Sequence, residues 1–563
     1  MTTSYTAVQK TLALPDSPGK SRQRLQNTFF SAVVFLSFAL IFSFLRSNDI
    51  FGVDGAFRCL EVFRRQSIFF HENNHLLYPV NVLAWTRLLS ALGFTASNRQ
   101  HFYSQAELMN CIAAAAAVAI VFSLTRSATR STSVAIGVAI GLGFSRAFLA
   151  HATNSAEPMA GVFWSFLAVG VAALSIGTGR TWPIIASAVL FALAMATYHS
   201  MIFLAPAAII VAGHGQTGSR VEPLFSRQRL VALTLFALTG LGGSALIYGW
   251  AFSRVGITRP SEMLKSFFLQ RYTRVFFGLE AGKLLNVPIG LVRNLFHLQP
   301  QYTGIRNLLA GPKLSMILFL LIVAAICATL FIYAALAIRR WSRVPAVSRT
   351  AFMAAGAGAL FTSIPVVLGI PDYDKFWLQP LACLAVLLGI SISVTAPTEK
   401  GSFNLSKVIP VILLAGVLSN LSWAAKSHKT AYPYLSETER LSHIIGKSDL
   451  LVGEWDTLTT LYGYGWTAEQ VFSFPTEAVV HGPRAVQALH ERVIETHKAG
   501  GKIYFLALLD VPPGVWDSFL GSRCGVPYSE MDFYRAHAAV RVATFQNGSE
   551  STEDLRRLDL LEQ

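Results

Sequence analysis

Apolar runs of helix length recur along this chain, separated by short polar breaks. They lie at about 28–46, 104–125, 132–150, 158–176, 181–198, 200–213, 230–250, 313–338, 350–369, 375–395 and 406–424. About twenty apolar residues in a helix cross a hydrocarbon core of roughly 30 Å, so the pattern predicts about eleven transmembrane helices, with 200–213 the shortest. A polytopic α-helical membrane domain over 28–424 is therefore expected, preceded by a tail at 1–27.

The first run follows Lys10, Lys20, Arg22 and Arg24, and no small-x-small cleavage site comes after it. It reads as a retained anchor with the tail cytoplasmic. Alternate short loops should then be basic. Arg126 and Arg130, Arg220 with Arg227 and Arg229, and Arg339, Arg340, Arg343 and Arg349 fall on that side. The opposite turns, 151–158 and 369–375, carry a single Lys or Arg between them, Lys375. Two long segments, 47–103 and 251–312, also face outward; both are too polar and broken to span, and each is expected to hold helices lying on the membrane. The second is basic (Arg254, Arg259, Lys265, Arg271, Arg274, Lys283, Arg293, Arg306). Anionic lipid headgroups account for such a loop, and so does a phosphate-bearing lipid substrate.

After about residue 425 the pattern changes. Stretches 449–453, 478–480 and 502–509 read as buried strands and 484–499 as an amphipathic helix, which predicts a small α/β soluble domain over 425–563. An odd helix count places it outside the membrane. It contains no GxGxxG, Walker or GxSxG signature, so no chemistry is assigned to it. From Gly548 onward the chain is charged and is expected to fray.

Composition agrees with a lipid solvent. The 563 residues are 53% hydrophobic and 14% charged, with mean hydropathy +0.47, too little polar surface for a water-soluble fold of this length. The net charge of +15 does not indicate nucleic acid, because Lys and Arg sit between apolar runs rather than on one basic face with interleaved aromatics. Cys59, Cys111, Cys327, Cys383 and Cys524 form no CxxC pair, so neither a zinc site nor a disulfide framework is implied. An integral protein of the bacterial inner membrane is the expected setting.

Polar residues that topology does not explain collect on the outward side. Asp54-Gly55-Ala56-Phe57-Arg58 follows the first helix, and His71-Glu72-Asn73-Asn74-His75-Leu76-Leu77-Tyr78-Pro79 follows some twenty residues later. His151 to Pro158 closes the third helix, Tyr198-His199 the fifth, and Pro371-Asp372-Tyr373-Asp374-Lys375 the ninth. These stretches resemble the GT-C superfamily of membrane glycosyltransferases, particularly its protein O-mannosyltransferase-like branch. In that group an Asp follows the first helix, a His-x-x-x-Tyr-Pro type segment closes the first external loop, and a Ser-x-x-Ala-Glu type segment opens the fourth helix. The counterparts here are Asp54, His75 to Pro79, Asn154-Ser155-Ala156-Glu157, and Tyr198-His199 ahead of Leu204-Ala205-Pro206. The resemblance covers roughly the first 210 residues. Gly55 and Ala56 stand where many relatives carry a second acidic residue, so no metal ligand set is assigned, and a divalent cation is left open.

The resemblance implies a hexosyl- or pentosyltransferase moving a sugar from a polyprenyl-phosphate donor to a hydroxyl or amine of a protein, lipid or glycan acceptor outside the membrane. The residue types suit that chemistry. A neutral hydroxyl needs a carboxylate as general base, and Asp54 is placed for it, with Glu157 as a second catalytic carboxylate. A departing phosphate is already a stable anion and calls for cations rather than an acid: Arg58, Arg271, Arg274 and Lys375 are the candidates, Arg for its bidentate geometry. His75, Tyr78, His199 and Asp372 complete the substrate-binding set. An inverting single displacement follows from one essential base.

Each residue also has a plainer role open to it. Asp54 is a good helix cap, Glu157 complements a helix dipole, His75 and Tyr78 suit a membrane interface, His199 ends a helix, and Asp372 and Asp374 pair with Lys375. A transporter or flippase of lipid-linked glycans is the competing class. It requires midplane polar residues and an internal repeat, whereas the ionisable groups here sit at helix ends. A glycan ligase or polymerase of another fold, and a non-enzymatic assembly platform, are further alternatives.

Overall fold

A computed structural model describes residues 18–46, 53–65, 75–176, 180–215, 227–254, 258–259, 261, 278, 280–297, 313–371, 373–395, 408–428, 433–453, 457–466, 470–538, 540–547 and 551–559. The membrane part is built from α1 (Pro18–Phe44), α2 (Val53–Arg65), α3 (Tyr78–Ala91), α4 (Arg99–Thr129), α5 (Thr132–Gly143), α6 (Arg146–Ala152), α7 (Glu157–Ala173), α8 (Trp182–Thr197), α9 (Ala205–Gly215) and α10 (Arg227–Arg254). It continues through α11 (Ala281–Leu295), α12 (Lys313–Arg339), α13 (Ala346–Thr362), α14 (Ile364–Leu368), α15 (Leu378–Thr395) and α16 (Val408–His428).

The number of spans is a correction. Among the described residues six helices are long and apolar enough to cross a membrane, or seven if α5 and α6, bent by 69° at their junction, count as one. The runs at 158–176, 181–198 and 200–213 yield apolar helices of only 17, 16 and 16 residues, Glu157–Ala173, Trp182–Thr197 and His199–His214. At about 1.5 Å per residue each rises roughly 25 Å, short of a full core. Irregular backbone flanks them: Asn154 to Ala156 precedes α7, and Tyr198 leads from α8 into the 3₁₀ turn His199–Leu204.

Small residues set the packing. Ala114, Ala115, Ala117 and Val118 of α4 are fully buried, which lets α1, α5 and α7 approach closely; in lipid, such close packing replaces the hydrophobic drive between helices. Peripheral helices show the opposite pattern, with Leu40, Leu246 and Phe331 more than 70% exposed towards the surrounding solvent, here lipid. The α5–α6 bend frees the Phe144 carbonyl, and Asn420 Nδ2 of α16 donates to it at 2.6 Å, so the broken backbone is satisfied inside protein.

Beyond α16 come α17 (Pro433–Ile444), β1 (Leu450–Gly453), α18 (Thr457–Gly465), β2 (Val471–Ser473), α19 (Phe474–His481), α20 (Arg484–Lys498), β3 (Ile503–Leu506), β4 (Val540–Asn547) and β5 (Ser551–Leu558). The sheet runs β2-β1-β3-β5-β4, the first three parallel and the last two joined as an antiparallel hairpin. Two expectations fail here. Ala478 to Val480 lies in α19, whose Pro475 suits a first helical turn rather than a strand. Within the stretch expected to fray, residues 551–558 form β5 inside the sheet, burying Glu553, Leu555 and Leu558 while Arg556 pairs with Asp510 at 2.7 Å.

This domain rests on α2. Leu60 of α2 packs with Leu435 of α17 and Leu461 of α18 in one buried cluster, and the Arg99 guanidinium lies 4.2 Å from the Trp466 ring. The helix that begins the first external segment is thus held from both sides.

Candidate active site

Three chain segments meet at the start of α7. The first is α2, whose Gly55 sits so close to the Ser155 carbonyl oxygen that no Cβ would fit. The second is the turn His75 to Leu77, tied to the end of α8 by the Leu77 N–H donating to the Ala196 carbonyl at 2.9 Å. The third is Asn154-Ser155-Ala156. Asn110, inside the apolar α4, donates to the carbonyls of Asn154 and Ala156, both at 2.7 Å; the Tyr103 hydroxyl donates to Asn154 Oδ1 at 2.8 Å, and the Tyr78 hydroxyl to the Ser155 carbonyl at 2.5 Å. A buried irregular backbone with every bond directed this way is rigid, because each unmade bond would cost a desolvation penalty.

Glu157, only 1% exposed, is the centre of the arrangement. Arg58 Nε donates to its Oε1 at 2.5 Å, and His75 Nε2 lies 3.3 Å from its Oε2. The His75 ring stacks on Tyr198, centroids 4.8 Å apart and planes 12° from parallel, with His199 at 6.2 Å. Burial, then the charges of Arg58, His199 and Lys375, hold the His75 imidazole well below its ordinary pKa. It is therefore neutral, with its proton assigned to Nε2 facing the carboxylate.

Lys375 lies in the turn Asp374–Phe376 with its ammonium 4.5 Å from the Tyr373 ring, and its charge is felt at His75. Beside it, Asp374 Oδ1 is 3.1 Å from His151 Nε2 at the end of α6. Burial works to raise the Asp374 carboxyl, but the His151 imidazole, with Arg146 behind it, more than reverses this and holds it below its ordinary value. Cys59 is no nucleophile: burial pushes its thiol up to about 12.

Arg58, His75, Tyr78, Glu157, His199 and Lys375 are thus assembled on one side of the molecule. Tyr78 is fully buried and braces backbone. Arg271, Arg274 and Asp372 lie outside the described residues, and Asp54 is placed by its backbone alone, at the start of α2 next to Gly55. No three His, Cys, Asp or Glu side chains converge as a metal set among the described residues. Sequence reading missed Asn110, Tyr103 and the His151–Asp374 pair. Asn110 had a signal, a polar amide within an apolar run, which inside a membrane rarely lacks a role.

Helices packed around a buried polar centre, followed by an α/β domain docked on α2, define a polytopic α-helical membrane fold with a small C-terminal α/β domain. No protein-family model and no curated protein sequence matches the chain. The solved structures that share its fold include ArnT from Cupriavidus metallidurans bound to undecaprenyl phosphate (TM-score 0.53) and the same protein in the apo state (TM-score 0.50). Each is 11% identical over 93% of this chain and 97% of the other, a likeness of fold.

Proposed function

We propose that this protein is a membrane glycosyltransferase that takes a sugar from a polyprenyl-phosphate donor and passes it to an acceptor on the outer side of the membrane. The observation that supports the reading is buried Glu157 held between Arg58 and His75, with the charge of Lys375 also felt at His75. Two permanent cations at one polar centre suit a departing phosphate, and the fold shared with a protein solved with undecaprenyl phosphate supports the same donor class. Glu157 in this reading aims Arg58 and His75, while Asp54, on the neighbouring turn of α2, deprotonates the acceptor in an inverting single displacement. Arg271, Arg274, His199 and Asp372 remain part of the proposed binding set. The resemblance of the first 210 residues to protein O-mannosyltransferases favours a hydroxyl acceptor.

The test is transfer from a panel of radiolabelled polyprenyl-phosphate sugars by purified protein, with Asp54→Asn beside it. Transfer from at least one donor, reduced about 100-fold or more in the variant, is expected. Unchanged transfer by the variant eliminates Asp54 as base; no transfer from any donor, with movement of intact donor across the bilayer, replaces the enzyme by a flippase.

A further inference from the structure

A second cationic centre stands at the junction of α6, α11 and α16. His297, just past the end of α11, stacks on Trp423 of α16 with centroids 5.3 Å apart and planes 15° from parallel. The Arg146 guanidinium, at the start of α6, lies 5.7 Å from the same indole. Asn420, fully buried one turn before Trp423, locks the three elements together. Its Oδ1 accepts from the His297 backbone N–H at 2.6 Å, and its Nδ2 donates to the carbonyls of Phe144 at 2.6 Å and Leu295 at 2.7 Å.

Two more cations share this corner. Arg293 is one turn before His297 on α11, and Lys426 is three residues beyond Trp423 on α16. Burial lowers the His297 pKa, and the charges of Arg146, Lys426 and Arg293 lower it further, so three cations on three elements face one neutral imidazole. The His297 Nδ1 is buried and meets no partner among the described residues. Arg146, Arg293, His297 and Trp423 are half-buried and Lys426 is exposed, so the corner opens to the surface. On the same helix, Leu418 and Leu414, four residues apart, expose 60% and 59% of their surface, a stripe that leads up to the charges.

We propose that this junction binds the phosphate of a membrane lipid headgroup, with Arg146, Arg293 and Lys426 on the phosphate and an acyl chain along Leu414 and Leu418. An apolar stripe that ends in a cluster of guanidinium and ammonium groups is complementary to an anionic amphiphile, and the Arg side chains match phosphate oxygens in pairs. The centre is distinct from Glu157: Arg146 starts α6, whereas Glu157 starts α7. It goes beyond the proposed transferase activity and is read without turnover, so either can fail alone.

The full chain is reconstituted in phosphatidylcholine discs containing a minor fraction of brominated phosphatidylglycerol or, as control, brominated phosphatidylcholine. The Trp423 signal is the fluorescence lost in Trp423→Phe. Quenching of that signal several-fold stronger by the anionic lipid is expected, falling about five-fold in Lys426→Gln and vanishing in R146Q/R293Q/K426Q. Because the triple variant can misfold, the exposed Lys426→Gln decides alone where helicity is lost. Equal quenching by both lipids, or an unchanged preference in Lys426→Gln, overturns the site. Loss of the preference in millimolar inorganic phosphate overturns the lipid as its source.

Discussion

Arg58 and Glu157 lie 99 residues apart in sequence and 2.5 Å apart in space, in a contact where the carboxylate is 1% exposed and the guanidinium side chain 12%. The pair joins α2 to the start of α7, so any displacement of α2 is felt at the polar centre.

Breaking that pair from one side leaves a buried charge unpaired. Glu157→Gln should therefore lower stability by about 3 kcal/mol, seen as a reduced thermal midpoint in detergent, and should suppress transfer. Arg58→Gln should behave similarly, while R58Q/E157Q should cost clearly less than the sum of the singles. Additive losses would mean that the two side chains do not depend on one another.

His75 gives stability a pH dependence of known sign. Its folded pKa lies below the ordinary 6.5, so the unfolded chain binds a proton that the folded one refuses, and stability falls as pH drops below about 6.5. The slope is at most about 1.4 kcal/mol per pH unit from this residue. Asp374, with its pKa lowered, contributes stability that is lost only as the pH falls below the ordinary carboxylate range. Thermal midpoints from pH 7 to 5 should decline in the parent and decline less in His75→Gln; identical slopes would remove His75 as the cause.

Much of this was readable from residue order. Runs of apolar residues located the helices, and polar clusters at helix ends named Arg58, His75 and Glu157 before their contacts were known. Depth was not readable: hydropathy does not distinguish a helix crossing lipid from one of 16 residues packed among others, so α8 counted as a full span. Nor was β5, whose Glu553, Asp554, Arg556 and Arg557 resemble a solvated tail. Its order comes from ladders to β3 and β4 and from burial of Leu555 and Leu558, contacts distant in sequence that a local pattern cannot register.

That strand supplies a direct test. β4 pairs only with β5, and β5 separates it from β3. A chain ending at Asn547 should lose both the hairpin and the burial of Leu555 and Leu558, and its C-terminal domain should become protease-sensitive while the membrane part stays intact. A resistant domain fragment would show that β5 is dispensable.

Gly55 is where packing and chemistry meet. Its Cα faces the Ser155 carbonyl, which is backbone, already accepts from Tyr78, and is fixed by the Asn110 bonds to either side. A methyl group there cannot be absorbed by a side-chain rotation, so Gly55→Ala must push α2 away from α7, although alanine would be the better residue for an isolated helix. Asp54 and Arg58 move with it. A displacement of about 1 Å at a positioned group costs on the order of 100-fold in rate. Gly55→Ala should accordingly retain helicity and membrane insertion while losing transfer by that order, and Arg58 should no longer couple to Glu157 in the double-mutant cycle. Full activity in Gly55→Ala would mean that the close approach of α2 is incidental to the site.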